Sequence, residues 1–233
     1  MSKHIEFEWK TGDCLHDATS LFEEMSHIGG NQKMRCDAND ALEEIRLWLR
    51  PRAVCECYDA FALEGEDLIL CDAGGTEHKL TCKAFSQIDP RTIDSVCVFA
   101  LTAGDCHAGS DRIMIQLFAD YWGTAITETV KRLFMGSLKK ELALQQAAPV
   151  MLSEVFGPGL FGMELGEMAK LPSLCDFAKA GISVSESCYL MPEKSVAGLI
   201  FKINGGYVKL HGKCETCDGN PISCILCLSQ KNE

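Results

Sequence analysis

The run Val96-Cys-Val-Phe-Ala-Leu-Thr-Ala103 constrains this chain more than any other stretch. A strand whose residues are nearly all apolar has no face to offer to water, so it must lie buried. Gly104 ends it. Other short strands are expected around it. Residues 53–63 read as one, and Cys55 and Cys57 share a face because strand side chains alternate. Residues 67–71 and 78–82 flank a Gly74-Gly75 turn, which gives a meander of short antiparallel strands. Residues 182–190 and 196–204 form two more, with Met191-Pro192-Glu193-Lys194-Ser195 between them.

Helical periodicity supplies the flanking layers. Leu21, Phe22, Met25 and Ile28 predict an amphipathic helix over residues 15–28, stopped by Gly29-Gly30. A second is expected from Asp37, capped by Asp37 or Asn39, with Leu42, Ile45, Leu47 and Leu49 as apolar positions before Pro51. The longest should start near Arg112, capped by Ser110 or Asp111, with Ile113, Leu117, Tyr121 and Ala125 stepping by four. Its stripe continues through Ile126, Val130 and Leu133. Gly136 and Ser137 are expected to loosen the chain before a shorter helix over 138–147. Residues 149–162 read as loop, residues 165–170 and 172–180 as short helices. The whole is an α+β fold: a twisted antiparallel sheet flanked by helices, with the long helix packed across the sheet. Residues 1–30 form an N-terminal helical segment, 31–205 the main domain and 206–233 a cysteine-rich tail.

Composition narrows the function. At 233 residues, with 47% apolar residues, the chain can build a substantial core. It contains neither a membrane-length apolar run nor a secretory leader pattern, so a cytoplasmic location is expected, with no membrane partner. A formal charge of −11 and the absence of a basic stripe exclude sequence-independent nucleic-acid binding. Fourteen cysteines are too dispersed for a disulfide framework. Cys71, Cys97 and Cys188 sit in apparent core segments, where reduced cysteine acts as a small apolar residue. A reducing, oxygen-poor cytoplasm is the economical setting.

Four cysteines stand apart. Cys214-Glu-Thr-Cys217 and Cys224-Ile-Leu-Cys227 are separated by six residues containing Gly219, Asn220 and Pro221, which favour a tight reversal. Two such pairs facing one another suit an all-sulfur tetrahedral centre, an iron–sulfur cluster or zinc. A disulfide pair is the alternative. Cys55 and Cys57 form a possible metal pair that lacks a partner in sequence. Cys14, His16 and His27 read as core or solvent-facing residues. Asp105-Cys106-His107-Ala-Gly109 nearly reproduces a cobalt-ligating Asp-x-His-x-x-Gly string. The glycine falls one residue early, and a loop leading into the long helix is the better reading. Cys106-His107 adjacency is not the spatial pairing that nucleophilic catalysis needs.

The stretch from Ile182 through Glu186, Ser187, Met191 and Pro192 to Ser195-Val196-Ala197-Gly198-Leu-Ile-Phe201 is similar to the closing signature of the activation (reactivation) domain of cobalamin-dependent methionine synthase. Gly157-Pro158-Gly159-Leu160 resembles that family's proline-glycine-tyrosine segment. Ile126-Thr127-Glu128 resembles its leucine-histidine-glutamate stretch, and the 98–104 strand resembles smaller stand-alone relatives. The likeness spans roughly residues 35–204. It implies an accessory role in a corrinoid (B12)-dependent methyltransferase system, with a corrinoid protein or the methyltransferase as partner. It also implies a face for S-adenosylmethionine, carried by Glu128, Pro158, Gly159, Ser195, Gly198 and Phe201. The family's carboxylate-binding arginine is Val155 here, and its tyrosine is Leu160. An iron–sulfur cluster on Cys214, Cys217, Cys224 and Cys227 would add electron transfer to the corrinoid. A zinc-stapled binding module and a methyl-donor domain with a pocket remodelled around Glu128 and Ser195 are the alternatives.

Overall fold

The computed structural model describes residues 2–144 and 150–204. Its elements, in chain order, are β1 (Ser2–Glu8), α1 (Thr11–Ser26), α2 (Gln32–Arg46), β2 (Leu49–Tyr58), β3 (Ala62–Glu64), β4 (Asp67–Cys71) and β5 (Glu77–Thr81). Then come β6 (Ile93–Gly104), α3 (Ile113–Ala143), β7 (Met151–Leu152), α4 (Leu171–Leu174), β8 (Ser183–Val184), β9 (Leu190–Met191) and β10 (Ser195–Ile203). Single 3-10 turns fill several connections. This is an α+β protein built on a five-stranded antiparallel sheet in the order β1-β2-β6-β10-β7.

β6 lies at the centre of that sheet. Cys97, Phe99, Leu101 and Ala103 point to the face covered by α1, α2 and α3. Val96, Val98 and Ala100 point to the other, covered by β3-β4-β5, α4 and the 3-10 turns. The period of two therefore serves two cores at once, which is why the strand has no polar face. Phe99 meets Phe134 of α3 at 4.8 Å between ring centroids, and Phe22 of α1 stacks on Trp122 of α3 at 3.9 Å. On the other face Phe85, Phe156 and Phe201 close into a triangle with sides of 5.2–5.6 Å.

Several expectations are corrected. Ser2–Glu8 is an edge strand paired residue for residue with β2, which was not anticipated ahead of α1. α2 begins at Gln32, and Asn31 caps it by accepting from the Met34 amide at 3.2 Å. Asp37 is instead a buried helix residue that receives Arg112. α3 runs unbroken through Gly136, since the four buried apolar residues Val130, Phe134, Leu138 and Leu142 hold both halves against one core. Its stripe is also turned: Ile113 is 78% and Leu117 41% exposed, while Phe118 and Trp122 go inward. The bulkier aromatics bury more area, so they decide the rotation. Residues 182–190 form a small hairpin, β8–β9, rather than one strand.

The cysteines are corrected too. Cys97 is buried but bonded to Cys57, Cys71 is exposed, and Cys188 is half-buried. Cys214, Cys217, Cys224 and Cys227, together with Gly205-Gly206, lie outside the described residues. No helix among the described residues is long and apolar enough to cross a membrane.

Candidate functional site

Chemistry-bearing side chains gather where β6 ends and β10 begins. Ser195 opens β10 opposite Thr102. Its hydroxyl donates to the Pro192 carbonyl at 2.6 Å and lies 2.9 Å from Thr102 Oγ1. Thr102 Oγ1 in turn accepts from the Gly104 amide at 3.0 Å. These bonds fix the 191–194 loop against the start of the 105–112 loop. Lys194 then runs over α3 at Gly123, where an added Cβ would come within 2.9 Å of its Cγ and 2.8 Å of Cys106 Cβ. Its ammonium reaches Asp120 at 2.5 Å and Thr124 at 3.0 Å. A helix residue without a side chain is what lets both loops lie on α3.

Between them opens a cleft of about 780 Å³, lined among others by Asp105, His107, Gln116, Asp120, Pro192 and Glu193. Three carboxylates face one ammonium and one imidazole, so the rim favours a cationic or polar group over an anion. Cys106 lies at its floor. Burial pushes that thiol up to about 12, which keeps it protonated and unreactive at neutral pH. The Asp105–Asp111 stretch is the loop leading into α3, and the Asp105 carboxylate accepts from the His107 amide at 2.9 Å.

The residues singled out in the sequence fall in three places. Pro158 and Gly159 are the central pair of a turn closed by the Leu160 amide on the Gly157 carbonyl at 2.8 Å, with Gly159 at φ +83. That is type II geometry, which requires positive φ at the third residue. The turn follows Phe156, which exchanges two backbone hydrogen bonds with Leu199 at 2.9 and 2.7 Å. A Cβ on Gly198 would collide with the Phe156 carbonyl. Thus the 156–160 and 195–201 segments do meet. Phe201 is fully buried on the face away from α3, between Phe85 and Phe156. Glu128 lies one turn beyond Thr124 on the outward ridge of α3, ion-paired to Lys131 at 3.0 Å, and Phe201 and Glu128 do not converge. Val155 packs against the helical-face core and Leu160 is half-buried.

The Cys55–Cys57 pair gains a partner. Cys57 stands opposite Cys97 across the β2–β6 ladder, and Cys55 Sγ lies 3.7 Å from Cys57 Sγ. These three buried cysteines could hold a metal ion. Burial raises the Cys55 thiol well above its ordinary range. No local sequence signal gave Cys97: it lies 40 residues away and is found only through strand register. Cys14 is buried in the core, while His16 and His27 face solvent, as read.

Compared with solved structures, the chain matches a crystal structure of the MetH reactivation domain bound to AdoHcy. The TM-score is 0.54 and the identity 21%, over 89% of this chain and 81% of that one. The fold is therefore reactivation-domain-like. No protein-family description matches the sequence, and no curated protein does.

Proposed function

We propose that this chain is an accessory, reactivating component of a corrinoid-dependent methyltransferase system, working in the cytoplasm beside a corrinoid protein. The observation that carries the reading is a shared fold over most of both chains with a domain that bears the reactivation role by name. The meeting of the 156–160 and 195–201 segments supports it, because the two stretches that carry the sequence likeness are neighbours in space.

The position where the family's guanidinium would clamp a carboxylate is Val155, partly buried against the helical-face core. A charge-assisted contact of about 1.5–3 kcal/mol is therefore missing. These residues do not fit S-adenosylmethionine held in the family's way. Reduction then replaces methyl donation as the accessory task. Cys214, Cys217, Cys224 and Cys227 are the residues that would hold an iron–sulfur cluster. The chemistry such a group supplies is one-electron delivery to the partner's cobalt. The folded body would present the partner-binding surface.

Protein purified without oxygen should be brown, bleach with dithionite and give a paramagnetic resonance signal that disappears in Cys217→Ser. Colourless protein carrying one zinc would remove the electron-transfer role and leave the zinc-stapled module. The acidic cleft favours a second reading, a methyl-donor domain whose pocket has moved to a cleft that neither Glu128 nor Ser195 lines. The sulfonium of S-adenosylmethionine is a cation, and Asp105, Asp120 and Glu193 face that cleft. Calorimetry should then show S-adenosylmethionine binding more tightly than its uncharged-sulfur product, with the preference reduced in Asp120→Asn. Absence of heat at millimolar ligand ends this reading.

A further inference from the structure

The cysteine triad lies in the body of the fold, on residues that do not line the cleft. Cys55 and Cys57 project from β2 and Cys97 from β6 onto the helical face of the sheet. Their sulfurs all lie within 4.8 Å of one another, and the residues are 0%, 4% and 0% exposed. Cys57 and Cys97 are joined, with Cys55 as a third sulfur against the bond.

Three arguments define what the reduced triad would take. The donors are sulfur only, since no histidine or carboxylate joins the group among the described residues. Sulfur-only donors select soft metals. There are three of them, whereas zinc and iron–sulfur centres complete four. Three thiolates around one ion is a coordination that a soft monovalent cation accepts. Finally, the site is walled by Ile5 and Phe99, the cross-strand neighbours of Cys55, which shield it from bulk water. Lys3 stands opposite Cys57 in β1, with its ammonium held by Glu141 of α3 at 2.9 Å.

We propose that reduction of the Cys57–Cys97 bond opens a three-sulfur site for a single Cu(I) ion between β2 and β6. A dithiol reductant supplies the two electrons and two protons: the protein disulfide becomes two thiols and the reductant becomes a disulfide. Binding of the ion then displaces thiol protons to solvent. Oxidation closes the site by joining two of its three ligands, so occupancy follows the redox state of one bond.

The test uses the full chain with Cys214, Cys217, Cys224 and Cys227 replaced by serine, so that the tail contributes no sulfur. Cu(I) is offered under argon as its bicinchoninate complex, before and after treatment with a dithiol. The reduced protein should withdraw one equivalent, and the oxidised protein none. Cys55→Ala, a small apolar exchange, should weaken uptake at least tenfold with its circular dichroism unchanged. If Cys55→Ala misfolds, the oxidised-against-reduced comparison decides by itself. Equal uptake by oxidised and reduced protein, or by the reduced parent and a folded Cys55→Ala, overturns the proposal. A cluster or zinc in the tail can fail without affecting this result, and the reverse also holds.

Discussion

Asp72 shows how much local order one carboxylate can set. It accepts from the Gly74 and Thr76 amides at 2.8 and 2.9 Å and pairs with His78 at 2.8 Å, which closes the β4–β5 turn. The His78 contact first, and the two amides next, hold its carboxyl below the ordinary range. A carboxyl lowered in the folded state contributes stability that is complete above its unfolded value near 4 and fades as pH falls through the folded value. Asp72→Asn should therefore show a shallower loss of stability than the parent between pH 5 and pH 2, measured as urea midpoints. Parallel acid limbs would show that this group does not matter. Gly198 offers the steric counterpart. An added methyl meets the Phe156 carbonyl, so Gly198→Ala must push the 156–160 segment off β10. A loss of about 1–3 kcal/mol is expected from such overpacking, read by denaturant unfolding. Of these residues, Gly198 was legible as part of a motif, but its steric reason was not, because the close approach involves a carbonyl 42 residues earlier in the chain. Cys57 and Cys97 carry the same lesson.

Elements with a strong private signal were read well, and those defined by a neighbour were not. β6 was located because a run of eight residues, all apolar but Thr102, has one solution. β1 was missed because His4, Glu6 and Glu8 make the segment look polar, although Ile5 and Phe7 alternate with them at strand spacing. The charges belong to an edge strand, where they ward off further pairing, and His4 and Glu56 even meet across the ladder at 2.9 Å. α3 failed in the opposite sense. Gly136 is a weak helix former, and local propensity argued for a break. Phe134, Leu138 and Leu142 are buried on both sides of it, and packing overrides that preference. Nothing lies within 4 Å of a Cβ built on Gly136. Gly136→Ala should therefore stabilise the protein by about 0.5–1 kcal/mol, seen as a higher thermal midpoint. A neutral or destabilising result would mean that the helix needs its glycine for a reason other than space.

At the scale of the molecule, the two cores share one wall. Cys97, Phe99 and Leu101 face the helices while Val96, Val98 and Ala100 face the small sheet, so neither core can open without exposing the back of the other. The cleft was not legible for the same reason. Asp105 and Lys194 are 89 residues apart, and only the antiparallel β6–β10 pairing brings their loops to one end of the sheet. The shared wall predicts unfolding as a unit, which most small domains show. Phe85 sits in the core away from the helices, against Phe156 and Phe201, whereas Trp9 and Trp122 report on the helical side. Phe85→Leu should lower the denaturant midpoint followed by tryptophan fluorescence as much as the midpoint followed by far-ultraviolet circular dichroism. The common loss should be on the order of 1–2 kcal/mol, less than full truncation to alanine. A fluorescence transition that stays in place while the dichroism transition moves would mean that β6 does not transmit between its faces, and that the helical layer is stable without the other core.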